Sequence, residues 1–120
     1  MSGNPQTTVL PGAVIFTARA LIDGGLAVTS AGDSALNGTY MCDPQHMQAV
    51  QAEANAILLN QTFADGSTTL AWPDKGGATH NFSVAQFHTL VVALSWFVAQ
   101  CFLYGNGTVT SAPPATYTIA

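Results

Sequence analysis

Charge is what this chain has least of. Only 7% of its 120 residues are Asp, Glu, Lys or Arg, against roughly a quarter in an ordinary soluble domain. From Gly76 to Ala120 there is none at all. The two basic residues, Arg19 and Lys75, stand far apart, so no basic patch exists to neutralise a phosphate backbone or to steer the chain to an anionic lipid surface. Direct nucleic-acid binding is therefore set aside. Cysteine is scarce as well. Cys42 and Cys101 are too few and too far apart for a disulfide framework, and both read as small buried apolar residues.

Catalytic motifs are missing too. There is no Gly-x-Ser-x-Gly elbow and no phosphate loop, and the three histidines, His46, His80 and His88, fall on separate segments with nothing joining them. Chemistry needs a converging nucleophile, base and stabiliser. The chain is accordingly read as non-enzymatic, with no catalytic, cofactor-binding or metal-binding residues. The nearest approach to a zinc set is Cys42 and His46, four apart, with His80 or His88 as a third donor, but no second spaced pair completes it. Residues 1–8 are polar and lack the basic start of a signal peptide, which points to a mature chain made in the cytosol.

What is present is apolar: 48% of residues are hydrophobic, in a length that suits one domain with a modest core. A free monomer needs surface charge for solubility, so a surface this neutral suits a permanent assembly in which much of it is interface. The six carboxylates, Asp23, Asp33, Asp43, Glu53, Asp65 and Asp74, are dispersed and leave a net charge of −4.

Local patterns predict the elements. Residues 1–8 form an N-terminal arm, and Gly12 to Leu21, rich in Val, Ile, Phe and Thr, is expected to be a strand. Asp23-Gly24-Gly25 is a turn, after which Leu26, Val28 and Ser30 alternate as a short strand. Asn37-Gly38 turns the chain into another strand at Thr39-Tyr40. Asp43 as N-cap and Pro44 at the first helical position open a helix that runs to Leu59, with Met47, Val50, Ala54, Ile57 and Leu58 at helical spacing. Thr68 to Trp72 and Ala78 to Phe82, joined by Pro73-Asp74-Lys75-Gly76-Gly77, form a hairpin.

A second helix has the fullest local signature. Ser83 and Gln86 make a capping box, and Phe82 with Phe87 makes the hydrophobic staple. The helix buries Phe87, Leu90, Val91, Leu94, Phe97, Val98, Cys101 and Phe102 and stops at Gly105 as its C′ residue. Trp96, Leu103 and Tyr104 lie off that face, so with Tyr117 and Ile119 of the tail they are the candidate interface. Trp72, Phe82 and Phe87 are the candidate core anchors. The tail, residues 106–120, is expected as an extended arm that pairs with a partner. Val84 to Tyr104 is also long enough to span a bilayer, but it carries Gln86, His88, Thr89, Ser95 and Gln100 and has no Lys or Arg at its flanks. Four Asn-x-Ser/Thr triplets begin at Asn37, Asn60, Asn81 and Asn106; without a signal peptide, turn chemistry explains them better than glycosylation.

Taken together, Leu36-Asn37-Gly38-Thr39-Tyr40, the Asp-Pro helix start, Thr62-Phe63-Ala64-Asp65-Gly66, Leu70-Ala71-Trp72-Pro73-Asp74, Gly77-Ala78-Thr79-His80-Asn81-Phe82 and Val84-Ala85-Gln86-Phe87 resemble the DUF4376-type domain of tailed-bacteriophage tail proteins. In that domain a Trp-bearing strand, a Gly turn and a His-x-Phe strand lead into a final apolar helix. The likeness covers residues 36–104 and implies a virion component of the tail or its fibres. It carries over no active site, and Trp72, His80, Phe82 and Phe87 match its pattern as packing residues.

The expected fold is α+β: a single domain, residues 1–120, with two helices packed on short antiparallel strands and a hairpin, and extended terminal arms. The expected function is structural, in a phage virion assembled after synthesis in the host cytoplasm. The expected partners are other virion proteins and copies of the chain itself, with no cofactor. A capsid decoration or head-completion protein, a host receptor-binding module and a small membrane protein stay open as alternatives.

Overall fold

A computed structural model describes residues 11–120, with side chains described from residue 17 onward; the expected arm at residues 1–8 lies outside the described residues. The chain order is α1 (Pro11–Gly24), β1 (Leu26–Ser30), a single 3-10 turn (Ser34–Leu36), β2 (Gly38–Tyr40), α2 (Pro44–Asn60), β3 (Thr69–Pro73), β4 (Thr79–Ser83), α3 (Val84–Gly105) and β5 (Thr116–Ile119). This is an α+β domain, with three described helices where two were expected.

The added helix corrects the strand expected over Gly12 to Leu21. Val14, Ile15 and Thr17 favour strands one by one, but Pro11 opens the segment, and Ala13, Ala18, Arg19, Ala20 and Leu21 are good helix formers. Ala18, Leu21 and Ile22, at i, i+3 and i+4, pack into the core. Gly25 ends the helix with φ +82° while its N–H bonds the Ile22 carbonyl at 3.1 Å. A Cβ there would sit 2.8 Å from the Tyr40 carbonyl oxygen, so only glycine lets β1 leave the helix this tightly.

Two small sheets flank α3. One has the order β2-β1-β5, with β1 antiparallel to β2 (Leu26 opposite Tyr40) and parallel to β5 (Ala27 opposite Thr116, Ser30 opposite Ile119). The other is the expected hairpin, in which Leu70 faces Phe82 and Trp72 faces His80. The tail is thus not a free arm: its strand closes the sheet of its own chain. Because side chains alternate along a strand, Leu26, Val28, Tyr40 and Ile119 all turn inward and are buried.

Helix α3 is the axis of the core. Phe87, Leu90, Ala93, Leu94, Phe97 and Cys101 are all fully buried along it. Its start is as expected: the Ser83 hydroxyl accepts from the Gln86 N–H, and the Gln86 side chain accepts from the Ser83 N–H. Its end differs. Gly105 remains in the last turn and Asn106 is the C-cap, with its N–H bonded to Phe102 O at 3.0 Å; the left-handed residue is Gly107, at φ +83°. Helix α2 also begins differently from expectation. Asp43 makes no capping bond to the backbone; its carboxylate is held instead by the His46 ring at 2.6 Å.

Candidate assembly surface

Phe87 is the hub that positions the rest. Phe63, Trp72 and Phe82 each meet it edge-on, at centroid distances of 5.4, 5.1 and 5.8 Å, an arrangement that sets the positive ring edge against the negative ring face. Phe82 and Phe87 are buried, while Trp72 is half-buried at the edge of the hairpin. These three residues therefore anchor the hairpin to α3.

The expected interface residues separate. Trp96 and Tyr117 pack on one another at 5.3 Å, which fixes β5 to the flank of α3. Ile119 is buried in the core. Leu103 and Tyr104 are half-buried in the last turn of α3, where the Leu103 carbonyl accepts from the Thr108 and Val109 N–H groups. Of the five, Trp96 and Tyr117 are in ring contact with each other, and both pack against the core cluster that holds Ile119.

Other apolar side chains face solvent. Phe102 is 70% exposed, Val92 47%, and Leu58 and Leu59, in the last turn of α2, 80% and 78%. Phe102 corrects the expected core stripe of α3. It lies about 100° around the helix from Cys101, and Cys101 takes the buried place. Phe102 instead lines a groove of about 670 Å³ between α1, the start of α2 and the end of α3, together with Ala18, Ile22 and Pro44 and with Arg19 and Asp23. Sequence periodicity placed Leu58 with Val50, yet Val50 is the only fully buried residue of α2. An Ala- and Gln-rich helix offers little to bury, and its last turn carries both leucines outward. The signal available in the sequence was that poverty of large side chains.

The polar groups act as struts. His80 Nδ1 is 2.7 Å from the Ala35 carbonyl and Nε2 is 2.8 Å from Asp74 Oδ2. Asp74 Oδ1 accepts from the Gly76 and Ala78 N–H groups. The Lys75 N–H bonds Thr39 O at 2.7 Å, tying the hairpin turn to β2. The Asp74 carboxylate beside His80, and the Ala35 carbonyl, hold the imidazole pKa above its usual value, and the same pairing holds Asp74 below the usual carboxylate range. With both ring nitrogens bonded, His80 has no lone pair free to take a proton from a bound molecule. Cys42 and Cys101 are free and buried, and burial first of all pushes their thiols up to about 12 and about 11. Among the described residues no three His, Cys, Asp or Glu side chains converge as a metal set.

Among the described residues the arrangement offers exposed apolar side chains on α2 and α3. No family model, curated protein or solved structure matches the chain.

Proposed function

We propose that this chain is a non-enzymatic structural subunit of a bacteriophage virion, in the tail or its fibres, which holds neighbouring virion proteins and copies of itself through apolar faces. The observation that carries this reading is the exposure of Phe102, Val92, Leu58 and Leu59 on a molecule whose last 45 residues hold no formal charge. Phe102 and Val92 line separate grooves, and apolar side chains left uncovered in this way support an interaction role. The resemblance of residues 36–104 to a phage tail domain is the ground for proposing the tail as its location. An antibody raised against the purified chain should decorate the tails of purified particles in negative-stain electron microscopy. Particles free of label, from infected cells that contain the protein, would remove this reading.

One observation favours a membrane reading. Helix α3 is 22 residues long and contains an 18-residue window with a mean hydropathy of 1.6, so it is long and apolar enough to cross a bilayer. In this fold, however, its Phe87, Leu90, Leu94 and Phe97 are enclosed by protein, and Gln86 reaches Asp33 of the loop after β1 at 3.3 Å. Spanning a bilayer would require that core to open. On mixing with phospholipid vesicles, the chain is expected to stay at the bottom of a flotation gradient.

A further inference from the structure

The β2-β1-β5 sheet has two edges, and they are not equivalent. The β2 edge is occupied, because the Lys75 N–H bonds the Thr39 carbonyl. On the other side β1 uses the carbonyls of Ala115 and Ile119, so by the alternation of a strand the N–H and C=O of Thr116 and Thr118 point away from the sheet. They have no hydrogen-bond partner among the described residues. Natural edge strands are protected by shortness, by lysine, by proline within the strand, by bulges or by an inward charge. Of these, Thr116-Tyr117-Thr118-Ile119 has only its four-residue length.

A cavity of about 250 Å³ lies where this open edge meets α3, lined by His88, Thr89, Val92, Tyr117 and Thr118 among others. Val92, 47% exposed, is one of the residues that line it. The open backbone and the uncovered side chain therefore share one seam.

We infer that β5 is a dimerisation strand, pairing antiparallel with the β5 of a second copy so that two three-stranded sheets become one. The inference rests on the assembly reading and names its partner. The free groups fix the register. Thr116 of one copy lies opposite Thr118 of the other, and each such pair exchanges both backbone hydrogen bonds. Tyr117 meets its own counterpart on the two-fold axis as a non-hydrogen-bonded pair. The two α3 helices then flank the seam, with Val92 and the cavity covered. The free groups of Thr116 and Thr118, symmetric about Tyr117, suit a second copy, and the neutrality of the edge disfavours an acidic or basic partner. All six carboxylates and both basic residues lie outside α3 and β5, so two identical edges with a net charge of −4 per chain approach without like charges facing each other. Threonine and tyrosine also favour paired strands.

Sedimentation equilibrium on the whole chain tests this. Wild type is expected to be a dimer. Thr118→Pro removes only an outward donor and should leave the β1 ladder intact, yet it deletes one hydrogen bond from each half of the seam. It is expected to weaken dimerisation at least about tenfold. Phe102→Asp, in the other groove, is expected to leave the dimer unchanged. Should Thr118→Pro fail to fold, oxidative cross-linking decides. Tyr117→Cys should form a disulfide-linked dimer, since residues facing each other on the axis are about 4.5 Å apart at Cα. Thr116→Cys, displaced along the strand from its own counterpart, should cross-link far less. A monomeric wild type, a dimer insensitive to Thr118→Pro, or equal cross-linking of the two cysteine variants overturns the inference. A dimer lost in Phe102→Asp but kept in Thr118→Pro moves self-association to the other groove and leaves the assembly role standing. Tail labelling by the antibody with a monomeric protein in solution would have the same effect on the two claims.

Discussion

His80 bonds a carbonyl with one ring nitrogen and a carboxylate with the other, so only the imidazolium satisfies both. The consequence for stability has a definite sign. A histidine whose folded pKa is raised contributes stability that is complete below its ordinary value of 6.5 and is lost as pH rises through the raised value. Asp74, lowered from 3.8, contributes stability that is complete above that value and is lost as pH falls through the lowered one. The strut is therefore strongest between these two pH values. His80→Gln should lower the thermal midpoint most between pH 3.8 and 6.5, and the gap to wild type should narrow as pH rises through the raised histidine value; a gap that widens with pH would mean the ring is neutral in the folded state. At this scale the sequence was readable where partners are neighbours along the chain. Ser83 with Gln86 and Phe82 with Phe87 follow from spacing alone. It was silent where partners are distant: nothing in the sequence links His80 to Ala35, or Asn37 to the Ser30 N–H that its side chain accepts at 2.8 Å.

The two helix starts that look alike in sequence differ as elements. Ser83 makes a reciprocal capping box at α3, whereas Asp43 at α2 bonds His46 and no backbone N–H. Ser83→Ala should cost about 1 kcal/mol in urea denaturation and Asp43→Ala clearly less; equal losses would show that Asp43 stabilises α2 by its charge rather than by a capping bond. Short-range signals identified α2, α3 and the β3–β4 hairpin because each has a start signal, a period and a stop. They failed at α1, where β-branched residues suggested a strand and contacts with α3 decided for a helix. They failed again at β5. An isolated run of Thr and Tyr after two prolines states a preference for extended structure but not whose strand it joins.

At the scale of the whole molecule, the α+β class and the central place of the final apolar helix were legible, because 22 residues with so little polarity must be enclosed by something. The division of labour around that helix was not legible. Composition says that apolar surface exceeds what a small domain can bury, but only the packed structure shows that, among the described residues, the exposed large apolar side chains are Phe102, Val92, Leu58 and Leu59. The parallel pairing of β1 with β5 bears also on how the chain reaches this state. The bond from Ser30 Oγ to the Ala120 carbonyl spans 90 positions, whereas the hairpin and the start of α3 meet within a short stretch. Closing a long loop costs entropy before any contact repays it. The hairpin and α3 should thus form the folding nucleus, with β5 docking after the rate-limiting step. In stopped-flow measurements Phe82→Leu should slow refolding. Ile119→Val should leave refolding nearly unchanged and speed unfolding in proportion to a loss of about 1 kcal/mol; slowed refolding in Ile119→Val would place β5 in the nucleus. If the order holds, each newly folding chain passes through a stage in which β1 is uncovered along the side that β5 will occupy. A strand from a neighbouring chain can dock there first, so the exchange of C-terminal strands between copies is a kinetic competitor of the monomer's own closure.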